Sequence, residues 1–233
     1  MIRWLGLALY SAASFAATSD FQWNGSLPRG QTLEVKGING AVRVVEAASP
    51  AIAVKATRTG RRDDPNAVRI AVVPHAGGIT ICAVYPSPDA SKPNECKPGE
   101  AGRTAVKNND VEVAFDVQLP PGLHLVAKTV NGAVEAHRIS GDVKAHTVNG
   151  RVVVEAKGNV DARTVNGGIT LGLAEGANAA LSAKVVNGKI ESDLPLTVKN
   201  KISSRIINAT IGHGGKELKL QTVNGSIRIR RSS

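Results

Sequence analysis

The sequence has 233 residues, a formal net charge of +10 at pH 7 and an aromatic content of only 3%. Neutral-sugar sites and single-stranded nucleic-acid sites usually stack ligand rings on exposed aromatic side chains, so this composition excludes such a platform. A chain with this excess of Lys and Arg is suited to anionic partners, and its binding to them should weaken with salt.

The first 16 residues have the pattern of a secretory signal. Arg3 is followed by an apolar run, Trp4–Ala13, and then by Ser14-Phe15-Ala16, which places small residues at −3 and −1. The run is too short to span a bilayer, which takes about 20 apolar residues. We therefore expect cleavage after Ala16 and an exported protein, periplasmic or secreted.

Residues 17–36 are predicted to form an N-terminal cap, and residues 37–233 a single repeat domain. The segment Asp20–Gly30 carries Phe21, Trp23 and Pro28, which are large apolar or rigid residues outside the repeats. An open stack of strands invites edge-to-edge pairing, so a cap over its first layer is expected. At the other end, the charges of Ile227–Arg231 are expected to protect the last strand.

Three early strand pairs are predicted before the regular repeats begin. They are Ala41–Glu46 with Ala51–Ala56, Val68–Val73 with Gly78–Val84, and Val111–Leu119 with Leu123–Thr129.

A Pro-rich, charged loop at residues 85–110 interrupts these pairs. Cys82 and Cys96 flank its first half, and export permits a disulfide between them. We predict this disulfide, because a redox or metal pair would need nearby His or C-x-x-C spacing that the chain lacks. Closing a loop of this length stabilises by roughly 3 kcal/mol.

The unit Thr147-Val148-Asn149-Gly150 recurs along the chain. From Asn131 to Asn224 the motif asparagines follow one another at steps of 18, 17, 21, 21 and 16 residues, with Asn208 in a looser copy. Fixed-period similarity predicts stacked equivalent units. The expected corners are Asn39, Gly40, Asn131, Gly132, Asn149, Gly150, Asn166, Gly167, Asn187, Gly188, Asn224 and Gly225.

Period-two alternation between the corners predicts half-buried strands. We assign Val134, Ala136, Val143, Ala145 and Val148 to the inner face, and the threonines that precede the corner valines to cross-strand packing. Asn-Gly favours hairpins because both residues tolerate positive φ, so an antiparallel meander or sandwich is the alternative. The repeated inward phase favours an all-β solenoid of about eight or nine two-strand coils with V-N-G corners.

The V-N-G corners, the Gly37-Ile38-Asn39-Gly40 start and the Val111–Gly122 segment resemble the bacterial putative-adhesin domain family, a head-GIN-like β-solenoid group of unknown function. The resemblance covers the chain from about Gly37 onward. It implies the solenoid architecture and an adhesion-type role, and it supplies no catalytic residues.

No metal site, cofactor or catalytic centre is predicted. The five histidines lack metal-ligand spacing, and the calcium-binding nonapeptide repeat is absent. A polysaccharide-active β-helix enzyme, a lyase or hydrolase, is the alternative, with Asp142, Lys144, Asp161 and Arg163 as its candidates. We favour a ladder of alternating charges on a solvated sheet face.

The expected function is therefore non-enzymatic binding, with an adhesion-type or envelope-associated role. Acidic polysaccharide, lipopolysaccharide or an envelope protein are the expected partners, and a specific nucleic-acid ligand is not favoured. A structural or regulatory envelope component is a further alternative. The candidate anion-binding residues form a C-terminal basic cluster: Arg228, Arg230, Arg231, Lys216 and Lys219.

Overall fold

The computed structural model describes residues 17–203 and 205–232, which form 19 strands and one 3-10 turn at Pro65–Ala67. The predicted signal lies outside the described residues. No helix among the described residues could span a membrane. The strands are β1 Ala17–Gly25, β2 Thr32–Lys36, β3 Val42–Glu46, β4 Ile52–Gly60, β5 Arg69–His75, β6 Gly78–Val84, β7 Glu112–Leu119, β8 His124–Lys128, β9 Val134–Ile139, β10 Val143–His146, β11 Val152–Ala156, β12 Val160–Asn166, β13 Ile169–Leu173, β14 Ala179–Asn187, β15 Ile190–Ser192, β16 Thr197–Ser203, β17 Ile206–Ile211, β18 Lys216–Asn224 and β19 Ile227–Arg231.

The strands form two sheets that enclose one apolar core. Sheet A has nine strands in the order β1-β4-β7-β3-β9-β11-β13-β19-β15. Sheet B has ten, in the order β16-β17-β14-β18-β12-β10-β8-β2-β6-β5. Each parallel layer places one strand in sheet B and the next in sheet A, so the predicted β-solenoid is confirmed.

The parallel layers do not stack in sequence order. From one end of the stack they are β6/β7, β2/β3, β8/β9, β10/β11, β12/β13, β18/β19 and β14/β15. The β2/β3 layer thus lies between two later layers, and the C-terminal β18/β19 layer is inserted between β12/β13 and β14/β15. The expectation that charge protects an open last strand is wrong, because β19 pairs on both sides.

Antiparallel pairs occur only at the ends of the stack among the described residues. β1, β4 and β5 cover one end, and β16 and β17 extend sheet B at the other. Seven parallel layers with these end strands replace the expected eight or nine coils, and the antiparallel meander is wrong. Phe21 and Trp23 on β1 are half-buried and pack against the end of the core.

Asn208 is not a corner. Its strand, β17, runs antiparallel to β14, so Asn208 lies opposite Ser182 within the sheet. The spacing pattern that includes Asn208 is therefore misleading, because its 21- and 16-residue steps span an antiparallel excursion.

The corner places threonine inside and valine outside. Val143, Ala145 and Thr147 are buried, whereas Val148 is exposed. Assigning Val148 to the inner face is wrong, because alternation from Val143 puts only odd-numbered residues inward. The buried Thr147 hydroxyl donates to the Gly132 carbonyl of the neighbouring layer at 2.9 Å.

The corner glycines are required by close stacking. A Cβ atom on Gly150 would overlap the carbonyl oxygen of Gly132, and the same relation joins Gly167 to Gly150. Positive φ does not explain the corner asparagines, because among described non-glycine residues only Asn108 and Arg138 have it. The turn therefore differs from the hairpin turn that Asn-Gly usually predicts.

The loop at residues 85–110 folds back over the outer face of sheet B, where a disulfide joins Cys82 to Cys96. Glu34 lies beneath this loop and is only 5% exposed. Its carboxylate accepts hydrogen bonds from the Gly99 amide and the Thr80 hydroxyl, both at 2.9 Å. The Lys36 ammonium donates to the Lys97 carbonyl at 2.6 Å.

We predict that Gly150→Ala lowers the free energy of unfolding by about 1–3 kcal/mol, since the added methyl forces adjacent layers apart. Urea denaturation followed by circular dichroism measures the change. Gly77→Ala is the control, because a Cβ there meets the His75 ring at an ordinary 3.5 Å. Equal stability of the two variants would contradict the close-stacking explanation.

Removing the disulfide in Cys82→Ala/Cys96→Ala should lower the free energy of unfolding by about 2–3 kcal/mol, because the unfolded chain gains freedom over a 14-residue separation. The same denaturation measurement applies. Reduced wild-type protein provides the control and should match the variant. An unchanged free energy of unfolding would show that the Glu34 contacts alone hold the loop.

Candidate functional site

The predicted C-terminal basic cluster is divided between the two sheets. Arg228, Arg230 and Arg231 lie on β19 in sheet A, whereas Lys216 and Lys219 lie on β18 in sheet B. The chain turns a corner between the strands, so the five cations do not share one surface.

Three of the five cations are held by carboxylates of neighbouring segments. Arg228 binds Glu191 at 2.7 Å, Lys219 binds Glu217 at 2.7 Å, and Arg230 lies 3.7 Å from Glu155. The hydrogen bond to Glu191 raises the pKa of Arg228, and the one to Glu217 raises the pKa of Lys219. These cations are already neutralised within the protein.

Lys216 has a different environment, at the corner where sheet A leads into sheet B. Its ammonium donates to the Lys157 carbonyl at 3.0 Å, and no carboxylate among the described residues forms an ion pair with it. Burial lowers the pKa of Lys216, because the charged form loses solvation without gaining a counter-ion.

Arg138, Lys157 and Lys216 line a notch of about 420 Å³ at this corner, which we call the corner notch. Arg138 and Lys157 are exposed, and neither forms an ion pair with another described residue. Glu46 and Glu155 also line the notch, but both have partners: Glu46 accepts from the Ser140 amide at 2.6 Å, and Glu155 lies 3.3 Å from His137.

A β-bulge directs Arg138 into the notch. Val154 pairs with Ala136, but Ala156 pairs with Ile139, so β9 contains one extra residue. Arg138 has φ of 59°, a left-handed conformation that is uncommon outside glycine and typical of local distortion. Sequence reasoning missed Arg138. The signal was the 18-residue step in this layer against 17 in the next.

The carboxylates of the enzyme alternative are committed to structural contacts. Asp142 accepts the Asn159 amide at 2.8 Å within a corner. Asp161 receives two hydrogen bonds from Arg163, at 2.8 and 2.9 Å, and lies 3.3 Å from His146, whose pKa is lowered by burial. Lys144 pairs with Asp161 and His146 with Arg163, so the predicted register of this charge ladder is confirmed.

The V-N-G corners build a continuous column of asparagine amides. Each amide donates to the next along the stack at 2.8 Å, for example Asn149 to Asn131 and Asn187 to Asn224. In stack order the members are Asn39, Asn131, Asn149, Asn166, Asn224 and Asn187. The glycines that follow them pack directly beneath the next corner.

No group of His, Cys, Asp and Glu side chains among the described residues could hold a metal ion. The predicted corner residues and basic residues are thus the features that this surface offers to a ligand.

Solved structures share the fold. The structure titled as a putative cell adhesion protein from Clostridium sporogenes ATCC 15579 has 14% identity and a TM-score of 0.58, covering 92% of this chain and 100% of that chain. A putative adhesin from Bacteroides fragilis NCTC 9343 has 10% identity and a TM-score of 0.30, covering 92% of this chain and 97% of that one. At these identities the likeness to the Clostridium sporogenes protein shows the fold alone, and the Bacteroides fragilis protein adds no argument. No curated protein matches the sequence.

The sequence itself also matches a family, described as Toastrack DUF4097, over residues 104–230. This region holds the regular repeats from β7 to β19, and the resemblance to a head-GIN-like adhesin-domain group of unknown function is confirmed. Since the match spans more than half of the chain, the protein belongs to the Toastrack DUF4097 family.

Proposed function

We propose that this protein is an exported, non-enzymatic β-solenoid that binds anionic polymers in an adhesion-type or envelope-associated role. The observation that carries the proposal is the corner notch, where a half-buried Lys216 without a carboxylate partner lies with Arg138 and Lys157. A ligand anion there would supply the counter-ion that the fold does not.

The distribution of ion pairs supports the notch over the full C-terminal cluster. Arg228 and Lys219 are neutralised by Glu191 and Glu217, so an external anion would have to compete with these carboxylates. The notch cations and the exposed Arg231 have no such competitor among the described residues. The net charge of +10 adds a long-range attraction that brings polyanions to the surface.

Contacts of Asp142 and Asp161 support a non-enzymatic role. Hydrolysis of a glycosidic bond uses a pair of carboxyl groups that flank the bond. Asp142 holds a corner amide and Asp161 holds Arg163, so each has a structural partner already. Release of sugar product that is lost in Asp142→Ala or Asp161→Ala would favour the enzyme alternative instead.

The sequence and the disulfide support export to the periplasm or the exterior. Residues 1–16 have the signal pattern, and the Cys82–Cys96 bond is of the kind that persists in oxidising compartments. The Clostridium sporogenes structure is titled as a putative cell adhesion protein, which agrees in kind with this role.

We predict that Lys157→Ala/Lys216→Ala binds dextran sulfate about 30-fold more weakly at low salt. Two cations near an anionic surface contribute roughly 1 kcal/mol each, which corresponds to that factor. Titration of each protein with the polymer at several salt concentrations measures the affinity.

The control is Lys219→Ala/Arg228→Ala, which removes two cations that already have carboxylate partners. Both double variants lose the same formal charge, so the control should weaken binding far less. Equal loss in the two variants would reduce the proposal to net charge alone. Wild-type protein that fails to bind at low salt would contradict the proposed function.

A further inference from the structure

An exposed apolar ridge runs beside the asparagine column. It consists of the residue before each corner asparagine, in the stack order Ile38, Val130, Val148, Val165, Val223 and Val186. Four of these valines are 38–41% exposed, and they are among the few exposed large hydrophobic residues. We call the ridge and the asparagine column together the valine–asparagine edge.

The shape of this edge favours a linear ligand over a second protein. Six layers at a strand spacing of about 4.8 Å give a length near 24 Å, while the width is one or two side chains. A stable protein–protein interface buries about 1,200–2,000 Å² in total, which so narrow a strip cannot supply. A second copy packed here would thus be held too weakly.

The asparagine column presents hydrogen-bonding groups at regular intervals. An amide has two N–H donors and two acceptor lone pairs, and the ladder uses one of each in a fully stacked asparagine such as Asn149. The remaining donor and acceptor suit hydroxyl groups, which both donate and accept. Since Asn131, Asn149, Asn166, Asn187 and Asn224 are exposed, these groups are accessible.

A column of basic side chains borders the ridge on the outer face of sheet B. Strand pairing places its members in register, in the order Lys36, Lys128, His146, Arg163, Gln221 and Lys184. Lys184 is exposed, and no carboxylate among the described residues pairs with it. Gln221 is the one neutral, non-basic member.

The chain itself shows how this column receives a carboxylate. Glu100, in the loop at residues 85–110, binds the Lys128 ammonium at 2.7 Å. Burial alone would lower the pKa of Lys128, but the hydrogen bonds to Glu100 and Glu34 outweigh it, so the pKa is raised. The loop thus occupies one end of the column and leaves Arg163 and Lys184 exposed at the other.

We propose that an extended acidic polysaccharide lies along the valine–asparagine edge, with about one sugar ring per layer. The C–H face of each ring packs on the valines, its hydroxyl groups bind the asparagine amides, and its carboxylates meet the basic column. The inference takes from the proposed function that the ligand is a polyanion, and it adds a separate site and a ligand class.

Other linear polymers fit less well. An extended peptide repeats its side chains on one face every 6.6 Å or so, which does not match a spacing of about 4.8 Å. Single-stranded nucleic acid binds chiefly by stacking on aromatic rings, and this edge has none. A sugar ring contributes a length close to one layer, and it combines an apolar face with hydroxyl groups.

Binding of oligogalacturonates of increasing length tests the proposal by calorimetry on the full-length mature protein. Wild-type affinity should rise with length and level off at about six rings, the number of stacked layers on the edge. Val148→Glu/Val165→Glu should weaken binding about tenfold or more, because it sets like charges against the ligand.

The matched control is Gln22→Glu/Gln118→Glu, which adds the same charge at exposed positions of sheet A and should change affinity less than about twofold. Lys184→Glu is a second test of the path that leaves the ridge intact, and it should weaken binding about fivefold or more. Thermal unfolding of each variant verifies folding.

Equal affinities of Val148→Glu/Val165→Glu and the control, or of Lys184→Glu and wild type, would overturn the edge site. Wild-type protein that binds dextran sulfate but no oligogalacturonate would overturn the edge site and leave the proposed function standing. Wild-type protein that binds neither ligand would overturn both. An affinity that is independent of chain length would also overturn the path along six layers.

Discussion

The fold depends on how closely adjacent corners stack. The Gly150 backbone lies so near the Gly132 carbonyl that no side chain fits between them, and the Thr147 hydroxyl donates to that same carbonyl. The Asn149 amide donates to Asn131 on the outside of the corner. One backbone oxygen is therefore approached from two sides, while the amide ladder fixes the height of the layer. Any residue larger than glycine would break all three relations at once.

This stacking determines where ligand-binding groups can lie. Because each corner is fixed above the next, residues at the same position of successive layers form straight columns. The valines that the corner turns outward become a ridge, and the residues two places earlier become the basic column. Binding surfaces of this protein are therefore lines parallel to the stack, with the corner notch as an exception that a β-bulge creates.

Sequence reasoning predicted the solenoid, the corners and the register of Lys144 with Asp161 because these depend on local periodicity. It could not predict the order of the layers. All corners have the same shape, so the spacing of motifs determines how long a layer is but not which layer it stacks on. The inward assignment of Val148 was an error of phase, since alternation alone places Thr147 inward. The notch required Arg138 at a bulge, which the sequence marked only by one additional residue.

The order of the layers also explains why the C-terminal basic cluster is largely neutralised. In a stack that followed the sequence, β19 would be the last strand of sheet A, and Arg228 would face solvent. Insertion of β19 beside β15 instead brings Arg228 to Glu191, 37 residues earlier in the chain. The outer edge of sheet A is then β15, which is three residues long, and a short edge strand offers little to an unwanted partner. One topological choice thus protects the edge and removes cations from the surface, so the charges available to a ligand are those that the stacking order leaves without partners.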